Sequence, residues 1–210
     1  MKTVNDDDDT ETARVTTIGI AAPGIPATTE IEERALTWIA PYSQALHLVR
    51  ARDWLVYLDP DSSVEARLAV VTHDIERMFP GGPRMDKATD RWDDPHYLYA
   101  HASRSAEAVG IWLHSQGDAA KEVSVPEVRR LITLHEFGGV EGADLIQAAD
   151  SLSFLETLQD IARDWVRKNE CDAEKARAKH RYMAERIRVP KASRLAQPLL
   201  EQALASLEDL

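Results

Sequence analysis

The stretch "VVTHDIERMF", Val70 to Phe79, restricts the fold of this chain more than any other. An apolar run from Leu68 to Val71 leads almost directly into His73 and Asp74. A helix seated in a core rarely ends its apolar face on two adjacent polar side chains. An unpaired imidazole or carboxylate is costly away from water. Any fold adopted here must bring partners to that pair.

The surrounding sequence has a helical pattern. Ala, Leu, Glu and Arg are abundant, and all are good helix formers. No segment alternates with the period of a strand, and no internal repeat is visible. The expected fold class is all-α. Thr28 and Thr29 ahead of Glu30, Glu32 and Glu33 mark a first helix N-terminus, and Pro41 breaks that helix after Ala40. Further helices are predicted over 42–58, 63–79, 96–116, 126–136 and 143–156, the last with a continuation toward Lys168. Two more follow, from Ala173 to Arg188 and from Pro190 to Leu207. Between Pro80 and Pro95 the chain is rich in Pro, Gly and Asp and has no helical period. Loops of that length are commonly functional or mobile. "FGGVEG" turns the chain again after His135.

Three segments are expected: an acidic, disordered tail over 1–28, a helical domain over 29–156, and C-terminal helices over 157–210 packed on that domain. The formal charge is −11, which argues against general nucleic-acid affinity, since that rests on neutralising phosphates. Asp6 to Asp9 and Glu11 account for part of the excess, and the Asp run reads as a solvated tail. No apolar run approaches the length of a membrane span, and the acidic N-terminus resembles neither a signal nor a transit peptide. Cys171 is the single cysteine, which fits a reducing, cytoplasmic compartment. The chain is compatible with self-association into an oligomer.

Several ionisable residues interrupt helix faces that should be core. His47 lies within "SQALHLVRARDWLVYL", His101 within "YLYAHASRSAEAVGIWL", His135 near the end of "VRRLITLHE", and Asp150 inside "LIQAADSLSFLE". Singly, each has an ordinary reading as a satisfied core residue. Together with His73 and Asp74 they place such a residue on five helices of one small domain. Imidazole and carboxylate suit Mn, Fe, Co, Ni or Zn, and inward-facing ligands from several helices are an established way to build a metal site.

The order and local sequence of these residues resemble the HD-domain superfamily of metal-dependent enzymes, an all-α family named for a His-Asp pair on one helix. "HDIER" is similar to that family's His-Asp-Ile-Gly-Lys form, with Glu76 and Arg77 in the last two places. "LHEFGGVEGADLIQAADSLSFL" resembles its passage of His-Glu, Gly-rich turn, helix and Ala-Asp. The resemblance covers about Pro41 to Glu156. It implies His47, His73, Asp74 and Asp150 as the core ligands, with His101 and His135 added in two-metal members. Asp74 would then bridge, with His47, His73 and Asp150 on one metal and His101 and His135 on the other. A one-metal variant would use His47, His73, Asp74 and Asp150 alone. Water on such a divalent metal becomes a nucleophile near neutral pH, and two metals clamp the attacking and leaving oxygens of phosphoryl transfer.

The function this implies is hydrolysis of a small phosphorylated metabolite or nucleotide by metal-activated water, with Asp74 and Arg77 in catalytic roles. Family members resembling myo-inositol oxygenase hold two irons in the same ligand types, so a dioxygen-using oxygenase is the alternative. A purely binding or regulatory domain needs no open metal position. Arg77, one helical turn beyond His73, is suited either to a substrate phosphate or to a surface ion pair. Lys175 to Arg194 is a local basic segment in an acidic chain. Its Lys179, Arg181 and Arg186 either bind a phosphorylated substrate or form a solvated face. His96 is expected as a proton shuttle or plain surface, and His114 as a cation near a helix end. Glu76 and Glu136 are expected as proton carriers, exposed acids or acids supporting a ligand.

Overall fold

The computed structural model describes residues 25–208. The expected tail therefore lies almost wholly outside the described residues. Among them the α-helices are α1 (Glu30–Ile39), α2 (Ala45–Leu58), α3 (Val64–Thr72), α4 (Pro95–Ser115), α5 (Val125–Leu134), α6 (Ala143–Thr157), α7 (Gln159–Arg167), α8 (Ala173–Glu185) and α9 (Pro190–Ala205). No strand occurs among the described residues. Side chains cap several helix starts: Ser63 Oγ accepts from the Ala66 amide, Asp94 from Tyr97 and Asp172 from Lys175. These bonds satisfy amides that lack an intrahelical acceptor.

Two predicted helices are shorter than expected. The helix predicted over 63–79 ends at Thr72. Asp74 adopts φ −102°, ψ 9°, and Ile75–Met78 forms a 3-10 turn. In 3-10 geometry side chains three apart eclipse, so Arg77 stacks on Asp74 rather than sharing a face with His73. The helix expected to run past Glu156 toward Lys168 breaks at Leu158 (φ −110°, ψ 18°), and α7 begins there separately.

α2 and α6 make the most extensive helix pair, α5 packs on α4, and α8 and α9 pack on α6. The C-terminal helices thus belong to the same packed body. Leu48, Leu55, Leu68, Ile132, Ile146 and Leu152 are fully buried at these contacts. Behind the core, Arg50 donates to Glu156 (3.1 and 2.9 Å) and to Asp53 (2.9 Å), and Trp54 Nε1 donates to Glu156 (2.8 Å). This buried network locks α2 to α6 one turn beyond His47 and Ser153. After α5, Gly138 takes φ +59° and a Cβ there would lie 2.4 Å from Arg188 Nη1. Only glycine turns the chain at that point.

Candidate metal centre

The interior meets at one polar point. His47 comes from α2, His73 and Asp74 from the end of α3, His101 from α4, His135 from the end of α5 and Asp150 from α6, and all are buried. Three sets bring their donor atoms within 4.8 Å of one another: His47, His73 and Asp74; His73, His135 and Asp150; Asp74, His101 and His135. All six residues named from the sequence therefore converge, and each could contribute to holding a metal ion. The imidazoles form a row, with ring centroids 5.4 Å apart from His47 to His73, 4.9 Å from His73 to His135 and 5.8 Å from His135 to His101.

Each ring is turned by its outer nitrogen. His73 Nδ1 faces the Val70 carbonyl (2.7 Å) and His135 Nδ1 faces the Ile132 carbonyl (2.6 Å). A carbonyl only accepts, so both nitrogens carry their hydrogen. Both residues cap their own helix, and each ring donates to a carbonyl of its last turn. His101 Nδ1 donates to Glu76 Oε1 at 2.9 Å. Ser153 donates its hydroxyl to the His47 carbonyl (2.7 Å), so it accepts from His47 Nδ1 (2.9 Å). Every Nε2 therefore faces inward, an arrangement typical of metal-ligating histidine.

Three of those nitrogens, on His73, His101 and His135, are buried without a hydrogen-bond partner among the described residues. Yet His101 Nε2 lies 2.7 Å from Asp74 Oδ1, and His47 and His73 Nε2 lie 3.2 and 3.3 Å from Asp150 Oδ1. Acceptors brought this close repel unless a proton or cation lies between them. The donor set fits a divalent cation on that ground. Burial disfavours charge on His73, but the carboxylates of Asp150 and Asp74 outweigh it and raise its pKa to about 9. On His135 burial prevails over Glu136 and lowers the pKa to about 4. Burial acts to raise Asp74, but Arg77, His101 and His73 hold it well below the usual carboxylate range. Arg186 and His73 do the same for Asp150.

The predicted cations separate in the structure. Arg77 Nε donates to Asp74 Oδ2 (2.8 Å) and Nη1 donates to the Tyr97 hydroxyl (2.9 Å). Arg186, just past α8, binds the carboxylates of both Asp150 and Glu136, and its Nε donates to Ser151 Oγ at 2.8 Å. Lys179 lines the cavity described below. Arg181 is a correction: it turns to Glu174 on the outer face (2.7 Å) and does not line that cavity. Helical rotation separates it from Lys179 and Arg186. His96 and His114 are exposed, Glu76 supports His101, and Glu136 is buried with Arg186.

A cavity of about 450 Å³ opens onto His47, Asp74 and Asp150. The loop over 79–94 forms one wall and is pinned: Arg104 donates to the carbonyls of Pro80 and Gly81 (2.6 Å each), and Lys175 to that of Asp90 (2.6 Å). Nothing in the sequence marked Tyr97, or Trp92 and Trp165 on the cavity wall, and Ser153 was barely signalled. A serine within an apolar helix three residues beyond Asp150 was the one faint signal for Ser153. Comparison of the chain with protein-family models, curated proteins and solved structures found no match.

Proposed function

We propose that this protein is a metal-dependent phosphohydrolase acting on a small phosphorylated molecule. The observation that carries the reading is the cavity, which joins His47, Asp74 and Asp150 of the donor cluster to walls bearing Arg77, Arg84 and Lys179. In a chain of charge −11, that concentration of cations favours an anion, and guanidinium suits phosphate oxygens. His47, His73, Asp74, His101, His135 and Asp150 would hold one or two divalent ions, with Asp74 shared. Bound there, such ions lower the pKa of water and neutralise charge on a phosphoryl group. Asp74, kept anionic by Arg77, fixes the guanidinium so that its Nη2 is left for substrate. Arg186 holds Asp150 and Glu136 in place. Water adds its oxygen to phosphorus, the ester P–O bond breaks, and the alcohol leaves with a proton.

The test is phosphate release from a panel of phosphate esters with Mn, Fe, Co, Ni or Zn supplied, beside metal analysis of the purified protein. Phosphate release that D74N abolishes supports the reading. Oxygen uptake with Fe(II) and no phosphate release would replace it by a diiron oxygenase, which the same donor types serve. The reading carries with it a cytoplasmic setting and no membrane partner; among the described residues no helix is long and apolar enough to cross a membrane.

A further inference from the structure

The wall of the cavity changes character away from the donors. On α6, Asp150 is followed one turn later by Phe154, Leu158 follows just past the helix end, and all three line the cavity. α7 continues the stripe with Ile161 and Trp165. Within α6 each turn advances about 5.4 Å away from Asp150, and beyond the break at Leu158 the row continues along the same cavity wall. Across from it the loop contributes Trp92, whose ring stacks on Trp165 with centroids 5.8 Å apart and planes 23° apart.

Trp92 and Lys87, the polar side chains beside this stripe, already have polar partners within the protein. Trp92 Nε1 donates to the Lys175 carbonyl at 3.0 Å. Lys87 pairs with Glu170 (2.7 Å) and lies over Trp165 (5.4 Å). Lys179 Nζ stands 5.6 Å from the Trp92 ring, 5.4 Å from Phe154 and 5.0 Å from Tyr182. A polyol entering here would give up water for few free partners, whereas methylene groups or an aromatic ring would gain apolar contact. We infer that the substrate is the phosphate monoester of an apolar alcohol, its alkyl or aryl body lying along Phe154, Leu158, Ile161 and Trp165 against Trp92. This rests on the hydrolase reading for the phosphate end and on the apolar stripe for the rest.

The test has two independent arms. In the first, kcat/KM is measured on the metal-loaded protein for ethyl, butyl and hexyl phosphate, 1-naphthyl phosphate, glycerol phosphate and a hexose phosphate. In the second, binding of ethyl-, butyl- and hexylphosphonate is followed by calorimetry and tryptophan fluorescence, with no turnover required. Efficiency and affinity should each rise up to about fourfold per added CH₂, and I161N should flatten both slopes. Hydrolysis without chain-length dependence, or faster hydrolysis of the hexose phosphate, overturns the apolar assignment and leaves the hydrolase reading standing. Affinity that climbs with phosphonate length while no ester is cleaved supports the apolar chamber and removes the hydrolase reading. Flat phosphonate affinity with no cleavage of any ester overturns both.

Discussion

His101 Nδ1 donates to Glu76 Oε1 at 2.9 Å, while the opposite nitrogen of the ring is buried with no hydrogen-bond partner among the described residues. The glutamate thereby chooses which nitrogen faces Asp74. Glu76 is 2% exposed, and its second oxygen lies 3.6 Å from Arg104 Nε. E76A should therefore weaken metal binding by about 10- to 100-fold, the usual effect of removing the carboxylate behind a ligating histidine. A competition titration against a chelator measures it. Native affinity in E76A would show that the ring holds its orientation without the carboxylate.

His101 and His135 share a donor set with Asp74 that contains neither His47 nor Asp150. If two ions bind, H101A should lose one and keep the other, giving about half the native metal content by mass spectrometry. Unchanged stoichiometry in H101A would favour a single ion held by His47, His73, Asp74 and Asp150.

The helical class, the C-terminal helices packed on the same body and the six converging donors were all legible in the sequence. Helical period and buried polar side chains are local signals, and apolar contacts then force the faces together. The end of α3 was not legible: "HDIERMF" carries no Pro or Gly, and the 3-10 turn follows from where Asp74 and Arg77 meet in space. Ser153, which turns His47, and Arg186, which neutralises Asp150, act across 106 and 36 residues of sequence. The basic run pointed to Arg186 as a substrate cation, whereas the structure pairs it with Asp150 and Glu136 and keeps it off the cavity wall. The run did not distinguish that residue from Arg181, because the helix's rotation against α6 is set by tertiary packing.

Arg186 is 6% exposed in its side chain and serves two buried carboxylates, Asp150 and Glu136. Burial acts to raise Glu136, yet Arg186, with His135 and Lys179 beside it, outweighs that and holds the pKa at about 2. R186M should leave both acids without their counter-charge and cost about 3–5 kcal/mol, as expected when one partner of a buried pair is removed. Added Mn²⁺ should recover part of that loss, because a ligand that binds only the folded state stabilises it. Thermal melts of both proteins with and without the ion read this directly. A loss under 1 kcal/mol would mean the carboxylates rehydrate on removal of the guanidinium.

The second test of buried charge lies away from the metal donors. Arg52 and Glu32 are 1% and 0% exposed and join α2 to α1, with Arg52 Nε and Nη2 donating to Glu32 Oε1 at 3.0 and 2.8 Å. Burial acts to raise the Glu32 pKa, but bonds from Thr28 and Arg52 outweigh it and lower it from 4.5. A carboxylate depressed on folding contributes stability above its unfolded pKa and loses it as pH falls through the folded value. The pair should therefore be fully effective at pH 7 and fade below about pH 4.5. E32Q should lose about 1–3 kcal/mol at pH 7, where buried Arg52 keeps only Asp53, at 3.8 Å, as an acidic neighbour. Urea melts of both proteins from pH 7 to pH 3 provide the check. The native chain should lose more stability than E32Q across that interval, because the protons taken up by Asp74, Asp150 and Glu136 are common to both. Parallel curves would show that Glu32 releases no pH-dependent stability.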